Sequence, residues 1–183
     1  EQGQPLHAFD LAKLEGGITV RLAAPGETLT LLNGKEQALD ADMLVIADAR
    51  KAVALAGIMG GANSEVDDST QDIFLESAFF APEAIAGRAR RLGFSSDASF
   101  RYERGVDFTL QAEAMERASA LIVQICGGQL GPVSEAVGQL PARAPVSVRV
   151  ARVNQVLGLS LAADDMAAMF ARLGFVAAYQ DGR

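Results

Sequence analysis

The stretch from Ile73 to Asp107, IFLESAFFAPEAIAGRARRLGFSSDASFRYERGVD, limits the possible folds more than any other part of the chain. It begins as a short apolar strand with an acid, Glu76, at its end, then passes an aromatic pair, Phe79 and Phe80. Pro82 has a fixed φ and no amide hydrogen, which suits a first helical turn, and Gly93 after Leu92 suits the left-handed position just beyond a helix end. Between them Ile85, Ala89 and Leu92 recur at helical spacing, so one helix is expected over 82–92. Arg88, Arg90 and Arg91 gather near its carboxyl end, where the helix dipole favours cations. The following SSDASFRYERGVD sets Asp97, Arg101, Glu103, Arg104 and Asp107 around Phe100 and Tyr102, and neither a helical nor a strand period sorts charge from apolar residues. At least some of these polar groups should therefore be partly enclosed and paired, because enclosure without a partner costs several kcal/mol. Two readings stay open for them, a structural ion network and the floor of a substrate pocket.

The remainder of the chain supplies strands first and helices later. Ile18 to Leu22 alternates, putting Ile18, Val20 and Leu22 on one face. Thr28 to Leu32 and Lys35 to Leu39 flank Asn33-Gly34, a strong hairpin signal. Met43 to Ala47 and Ala52 to Ala56 are apolar strands joined at Asp48 to Lys51, and the second runs into Gly57-Ile58-Met59-Gly60-Gly61. Such a glycine-rich loop is either a plain turn or a place where backbone amides meet an anion or a carbonyl. It lacks the Lys-Ser/Thr pair of a phosphate loop. Asn63 to Asp72 is a polar surface loop. After Asp107 the period becomes helical, with Phe108, Ala112, Met115, Ser119, Ile122 and Cys126 as the expected buried stripe of a helix over 109–126, stopped by Gly127-Gly128. Leu130 to Val137 and Ser147 to Val150 are expected as short strands, Pro141 to Pro145 as a linker, Val153 to Leu157 as a helical turn, and Ala163 to Leu173 as a helix ended by Gly174. The class is α+β: layered β-sheets packed against helices over 1–140, followed by a partial small α/β module over 146–183.

Composition narrows the function. Lys and Arg number 16 against 23 Asp and Glu, a net charge of −7, which disfavours a large nucleic-acid surface but allows local contacts by Arg88, Arg90 and Arg91. No run reaches the 18 apolar residues of a membrane span, and the start has no signal pattern. The single Cys126, read as a small buried hydrophobe, excludes an intrachain disulfide and makes a reducing cytoplasm the simplest compartment. His7 is the only histidine; it is either a packing residue or an imidazole held by a carboxylate such as Asp10. One His and one Cys cannot make the usual structural zinc set, so no metal is expected.

Four ordered segments carry a resemblance: GQPLHAFD at 3–10, ALAGIMGG at 54–61, LESAFFAP at 75–82 and ARRLGFSSDASFRYERGVD at 89–107. Together they resemble the B3/B4 editing module of the beta subunit of bacterial phenylalanyl-tRNA synthetases, and beyond Pro145 the chain is similar to the opening of the next module, B5. The resemblance implies a module that hydrolyses the ester of mischarged Tyr-tRNA(Phe) by attack of water. A site built to hydrogen-bond a substrate hydroxyl rejects the analogue lacking it by roughly 10⁴ to 10⁵. It assigns His7 to the ester and terminal adenosine and Glu76 to the tyrosine phenol, both as catalytic-site groups. Gly60 offers backbone groups to the substrate, while Ser96 and Ala98 shape the pocket. There is no Ser-His-Asp order, so no covalent nucleophile is expected.

The same resemblance implies no cofactor in this part, with ATP and Mg²⁺ belonging to the full synthetase, and as partners tRNA(Phe) and the alpha subunit in an α2β2 heterotetramer, without a membrane. It also implies a domain truncated at its start, Arg183 as an artificial or proteolytic end, and weak or absent editing by this piece alone. Many members carry Thr where this chain has Gly87 and His where it has Ser95. The alternative is the same fold as a non-catalytic scaffold or docking module. A hydrolase should gather Glu76, His7, Gly60 and Ala98 around one cavity, whereas a scaffold would separate them or fill the space.

Overall fold

The computed structural model describes residues 2–179, so Arg183, expected above as an artificial or proteolytic end, lies outside the described residues. The chain divides into two compact units, one through Glu135 and one from Ala136. The first is mixed α and β. β1 (Leu6–Asp10) and β8 (Ile73–Ser77) form an antiparallel pair; β2 (Thr19–Leu22), β5 (Leu44–Ala47), β6 (Ala52–Leu55) and β7 (Met59–Gly60) form an antiparallel sheet in the order β2-β5-β6-β7; β3 (Thr28–Thr30) and β4 (Glu36–Ala38) form a hairpin. β1 was not expected as a strand, because a partner this far along the chain leaves no local signal.

The central strands explain the core. LVIA and AVAL are apolar at nearly every position, as strands covered on both faces must be, and Val45, Val53 and Leu55 are fully buried with Phe9, Leu31, Met43 and Ile85. β2 differs. Its alternation is present, but Val20 and Leu22 are more than half exposed, because β2 is an edge strand whose outer face nothing in the unit covers. The Asn33-Gly34 hairpin forms as expected: Gly34 sits at φ +77°, its amide bonds the Leu31 carbonyl at 2.8 Å, and Asn33 Oδ1 accepts from the Lys35 amide.

The single helix expected over 82–92 is two, α1 (Pro82–Ile85) and α2 (Arg88–Arg91). Between them Ala86 (φ −53°, ψ 126°) and Gly87 (φ 77°, ψ −11°) have the angles of a type II turn, which requires positive φ at its second central residue. Helical spacing survives the turn because Ile85 and Ala89 both still reach the core. Two of the arginines there are engaged: Arg91 Nη2 reaches both oxygens of Asp42 at 2.7 and 2.9 Å, and Arg88 reaches the same carboxylate at 3.4 Å while its Nε is buried without a partner among the described residues.

The charged stretch contains a helix after all, α3 (Asp97–Tyr102), capped by Ser96, whose Oγ accepts from the Ser99 amide at 3.0 Å while Ser99 Oγ accepts from the Ser96 amide at 2.9 Å. Its period was hidden because the inward residues are Ala98, Ser99 and Tyr102, not large aliphatics, while Phe100 points out. The expected partial enclosure holds for one pair only: Arg104 pairs with Glu103, whose side chain is partly buried, whereas Arg101 and Asp97 pair in exposed positions.

α4 (Gln111–Cys126) packs on β8 through its first turns, with Ala114 buried; burial then falls along the helix and Cys126 is exposed, not the buried residue its place in the stripe suggested. In the second unit α5 (Val150–Leu157) stops at Gly158 (φ +66°), and α6 (Ala163–Arg172) buries Met166. The Asn154 amide brackets Leu161 N–H and C=O at 2.9 Å each, tying the two helices together. The strands expected at Leu130 to Val137 and Ser147 to Val150 do not form, since neither segment has a neighbour among the described residues to complete a ladder.

Gly87 gives the first test. A Cβ there meets nothing within 4 Å, so Gly87→Thr isolates backbone strain from packing. A β-branched residue at this φ should lower stability by about 1–2 kcal/mol, read from the denaturant midpoint; an unchanged midpoint would show that the turn relaxes without cost.

Candidate functional site

The antiparallel register of β1 and β8 pairs His7 directly with Glu76. Side chains of such a pair lie on the same face about 4.5–5.5 Å apart at Cβ. They form one wall of a cavity of about 220 Å³ whose other lining includes Gly57, Gly60, Ser96, Ala98 and Tyr102. All five residues singled out from the sequence, His7, Gly60, Glu76, Ser96 and Ala98, thus face one space. The volume lies below the roughly 300–1,000 Å³ of sites that engulf a whole drug-sized molecule. It fits a single side chain, with the rest of a ligand left at the mouth.

His7 is held by shape. Its ring meets Phe9 edge-on at 4.5 Å, and its other edge lies against Gly60, where an added Cβ would stand 2.4 Å from Cε1 and 2.5 Å from Nε2. Gly60 is required at this place because there is no room for any side chain. Nε2 is buried with no hydrogen-bond partner among the described residues. Asp10 does not hold the imidazole: its carboxylate caps the following turn at Ala12 N–H (3.0 Å) and accepts from Thr70 Oγ1 (2.9 Å).

Glu76 has no donor among the described residues to share its charge, and burial alone pushes its carboxyl up to about 7. His7 moves the other way, below 6.5, from the same cause. Each shift favours the neutral form, although both residues keep some exposure at the cavity wall, and no ion pair joins them among the described residues.

Ser96 does structural work beyond capping α3, since its Oγ donates to the Ile58 carbonyl at 2.6 Å and fastens the helix to the Gly57 to Gly61 loop. Ala98, one turn before Tyr102, keeps that wall low. Three residues at the site were not assigned individually from the sequence. Gly57 (φ +66°) lets the loop turn where a Cβ would come within 3.0–3.2 Å of Phe80, Tyr102 and Ile85. Tyr102 OH lies 3.2–3.3 Å from the Ala78 and Pro5 carbonyls and receives Gln4 Nε2 at 3.3 Å, while Gln4 Nε2 also donates to Ala78 O at 2.7 Å. This network locks β1, β8 and α3 together at the end of the cavity. Its members were visible only as a Gln before Pro5 and one aromatic among charges, so no pattern could have paired them. Among the described residues no cluster of three or more His, Cys, Asp and Glu could hold a metal, and no helix is long and apolar enough to cross a membrane.

Comparison with known proteins gives the family. The B3/4 domain family model matches residues 1–127. The chain belongs to the B3/4 domain family. More particularly, it is similar along nearly its whole length to phenylalanine–tRNA ligase beta subunits. It is 60% identical to that of Chromobacterium violaceum over 94% of this chain and 22% of the relative, 57% to that of Thiobacillus denitrificans over 100% and 23%, and 58% to that of Methylococcus capsulatus over 95% and 22%. The chain therefore spans less than a quarter of the length of these relatives.

Two measurements follow from the wall. Gly60→Ala should displace the imidazole, seen as a changed environment of the sole histidine in ¹⁵N NMR; an unmoved resonance would mean the backbone yields instead. Stability should also track Glu76. Its folded pKa lies above the 4.5 of an ordinary Glu, so folding takes up a proton between about 4.5 and about 7, and stability falls as pH rises through that window. The loss is on the order of 3 kcal/mol at most, less where cavity water reaches the carboxyl. His7, neutral when folded, adds the opposite slope, losing stability as pH falls below 6.5. Glu76→Gln should flatten the fall between pH 5 and 7; a decline as steep as in the parent would place its origin elsewhere.

Proposed function

We propose that this domain hydrolyses the ester of Tyr-tRNA(Phe), selecting tyrosine over phenylalanine by a hydrogen bond between the phenol and Glu76. The observation that carries the reading is the convergence of His7, Gly60, Glu76, Ser96 and Ala98 on one side-chain-sized cavity. The phenol enters between Glu76 and the Gly57 to Gly61 turn, which leaves the ester and terminal ribose near His7 at the mouth. Water attacks the ester carbonyl beside the Gly57 to Gly61 turn, where the Gly60 carbonyl already accepts from the Leu32 amide at 3.0 Å, so Gly60 contributes space more than hydrogen bonds. An unpartnered carboxyl that costs stability when ionised fits this role, because a phenol O–H supplies the donor that the protein withholds. Phenylalanine leaves that carboxyl unpaired and is rejected.

In the whole ligase the domain works beside an alpha partner in a heterotetramer, bound to tRNA(Phe), in the cytoplasm, with ATP and Mg²⁺ serving aminoacylation elsewhere. Its names among relatives, phenylalanine–tRNA ligase beta subunits, support that setting.

The test uses the heteromeric ligase carrying this sequence and preformed Tyr- and Phe-esters of the tRNA. Glu76→Ala should reduce Tyr-ester hydrolysis by about 1.5–3 kcal/mol of transition-state stabilisation. The ratio of Tyr- to Phe-ester hydrolysis should rise from pH 6 to 8 as Glu76 ionises, and Glu76→Gln should flatten that ratio. Ala98→Trp should fill the cavity and stop editing while aminoacylation persists. Equal deacylation by parent and variants would leave the fold as a scaffold.

A further inference from the structure

A second cavity, of about 330 Å³, lies across α3 from the first. α3 divides its residues between the two: Ala98 and Tyr102 face the first, while Phe100, Arg101 and, just beyond the helix, Arg104 line the second. β1 and its approach do the same, with Pro5 and His7 on one side and Gly3 and Gln4 on the other. The spaces are neighbours separated by a single turn of helix and the chain leading into β1.

Three features of this second cavity are unusual for a plain surface. Phe100 is 56% exposed although it sits on a helix whose other apolar residues turn inward. The Arg104 guanidinium lies 3.6 Å from the centre of the Phe100 ring, and its Nη1 donates to the Phe100 carbonyl at 2.9 Å, which fixes the stack before any ligand arrives. Arg101 is held to Asp97 through Nε at 3.1 Å, while Nη1 lies above Gly3, near enough that a Cβ there would be 3.4 Å away. A flat, preformed ring and guanidinium pair beside a second guanidinium has the make-up of a platform for a nucleobase with its phosphate. Electrostatics sets the balance. Asp97 and Glu103 already neutralise much of both cations, and Asp107, whose carboxylate accepts from Thr109, also lines the space. Attraction of phosphate alone is therefore weak in a chain of net charge −7, and stacking must carry the affinity.

We infer that this cavity binds the nucleotide preceding the esterified terminal adenosine of a single-stranded RNA end, the base stacking on Phe100 and Arg104 and the phosphate meeting Arg101. The inference rests on the editing reading, in that the terminal adenosine is taken to stand at the mouth of the first cavity. It explains how a pocket sized for one side chain could hold a much larger substrate.

The probe is a labelled ribotrinucleotide, CCA, titrated into the 183-residue chain at several salt concentrations. Phe100→Ala, an exposed position whose loss costs the core nothing, should weaken binding by about tenfold or more. Arg101→Ala should weaken it a few-fold and reduce the slope of log affinity against log salt by about 0.7, the contribution of one phosphate on a single strand. Phe100→Tyr should restore affinity, which a disturbed fold would not. Binding unchanged in both alanine variants, or no binding of the parent at roughly millimolar trinucleotide, overturns the site. If Glu76→Ala leaves Tyr-ester hydrolysis intact while Phe100→Ala weakens trinucleotide binding, the editing reading fails and the RNA site stands; the reverse pattern fails the RNA site alone.

Discussion

The pairing of β1 with β8 is the constraint on which the site depends. The two strands are far apart in the chain, and their five-residue register decides which side chain His7 meets. A slip of one residue would send every side chain of β1 to the other face and dissolve the wall. The ladder is therefore clamped at both ends. At one end Gln4, Tyr102 and the Ala78 carbonyl share hydrogen bonds; at the other Thr70 bonds Asp10, and the Leu11 amide reaches the Asp72 carbonyl at 3.0 Å. The same clamps attach the pair to α3 and to the loop before β8, so the cavity's geometry is inherited from backbone pairing and not from flexible side chains.

Desolvation then gives the wall its chemistry. A carboxyl and an imidazole placed opposite each other would in water be expected to ionise as a pair, yet burial drives both toward neutrality. Folding retains groups whose charged forms it disfavours, which costs stability and leaves hydrogen-bonding capacity unspent. Such unspent capacity is the usual sign of a place kept for a ligand. Elsewhere in the unit many polar groups are satisfied locally, Arg21 with Glu27, Arg91 with Asp42 and Asp48 with three backbone amides, although Asn63 Oδ1 and Arg88 Nε are also buried without a hydrogen-bond partner among the described residues.

Much of this was legible in the residues. Strands at Leu44 to Ala47, Ala52 to Leu55 and Ile73 to Ser77 are apolar or bounded enough to read directly, and the hairpin at Asn33-Gly34 announces itself by turn chemistry. The candidate residues came from motif resemblance, and nothing in their spacing places His7 opposite Glu76, because register between distant strands is a tertiary property. The break at Ala86-Gly87 was missed since the helical period runs through it unchanged. α3 was missed because its inward face is small and polar. Cys126 was misplaced because periodicity tells which face of a helix is apolar, not how far along the helix a partner extends.

The central claim, that the wall formed by His7 and Glu76 receives a tyrosine side chain, is tested most directly with a non-hydrolysable amide analogue of 3′-tyrosyl-adenosine, compared with its phenylalanyl counterpart by NMR titration of the chain. At pH 8, where Glu76 is largely ionised, the tyrosyl analogue should bind at least about tenfold more tightly, the value of one charge-assisted hydrogen bond, and should shift the resonances of His7, Gly60, Glu76 and Ala98 together. Equal affinity for the two analogues, or shifts that bypass these four residues, would contradict it.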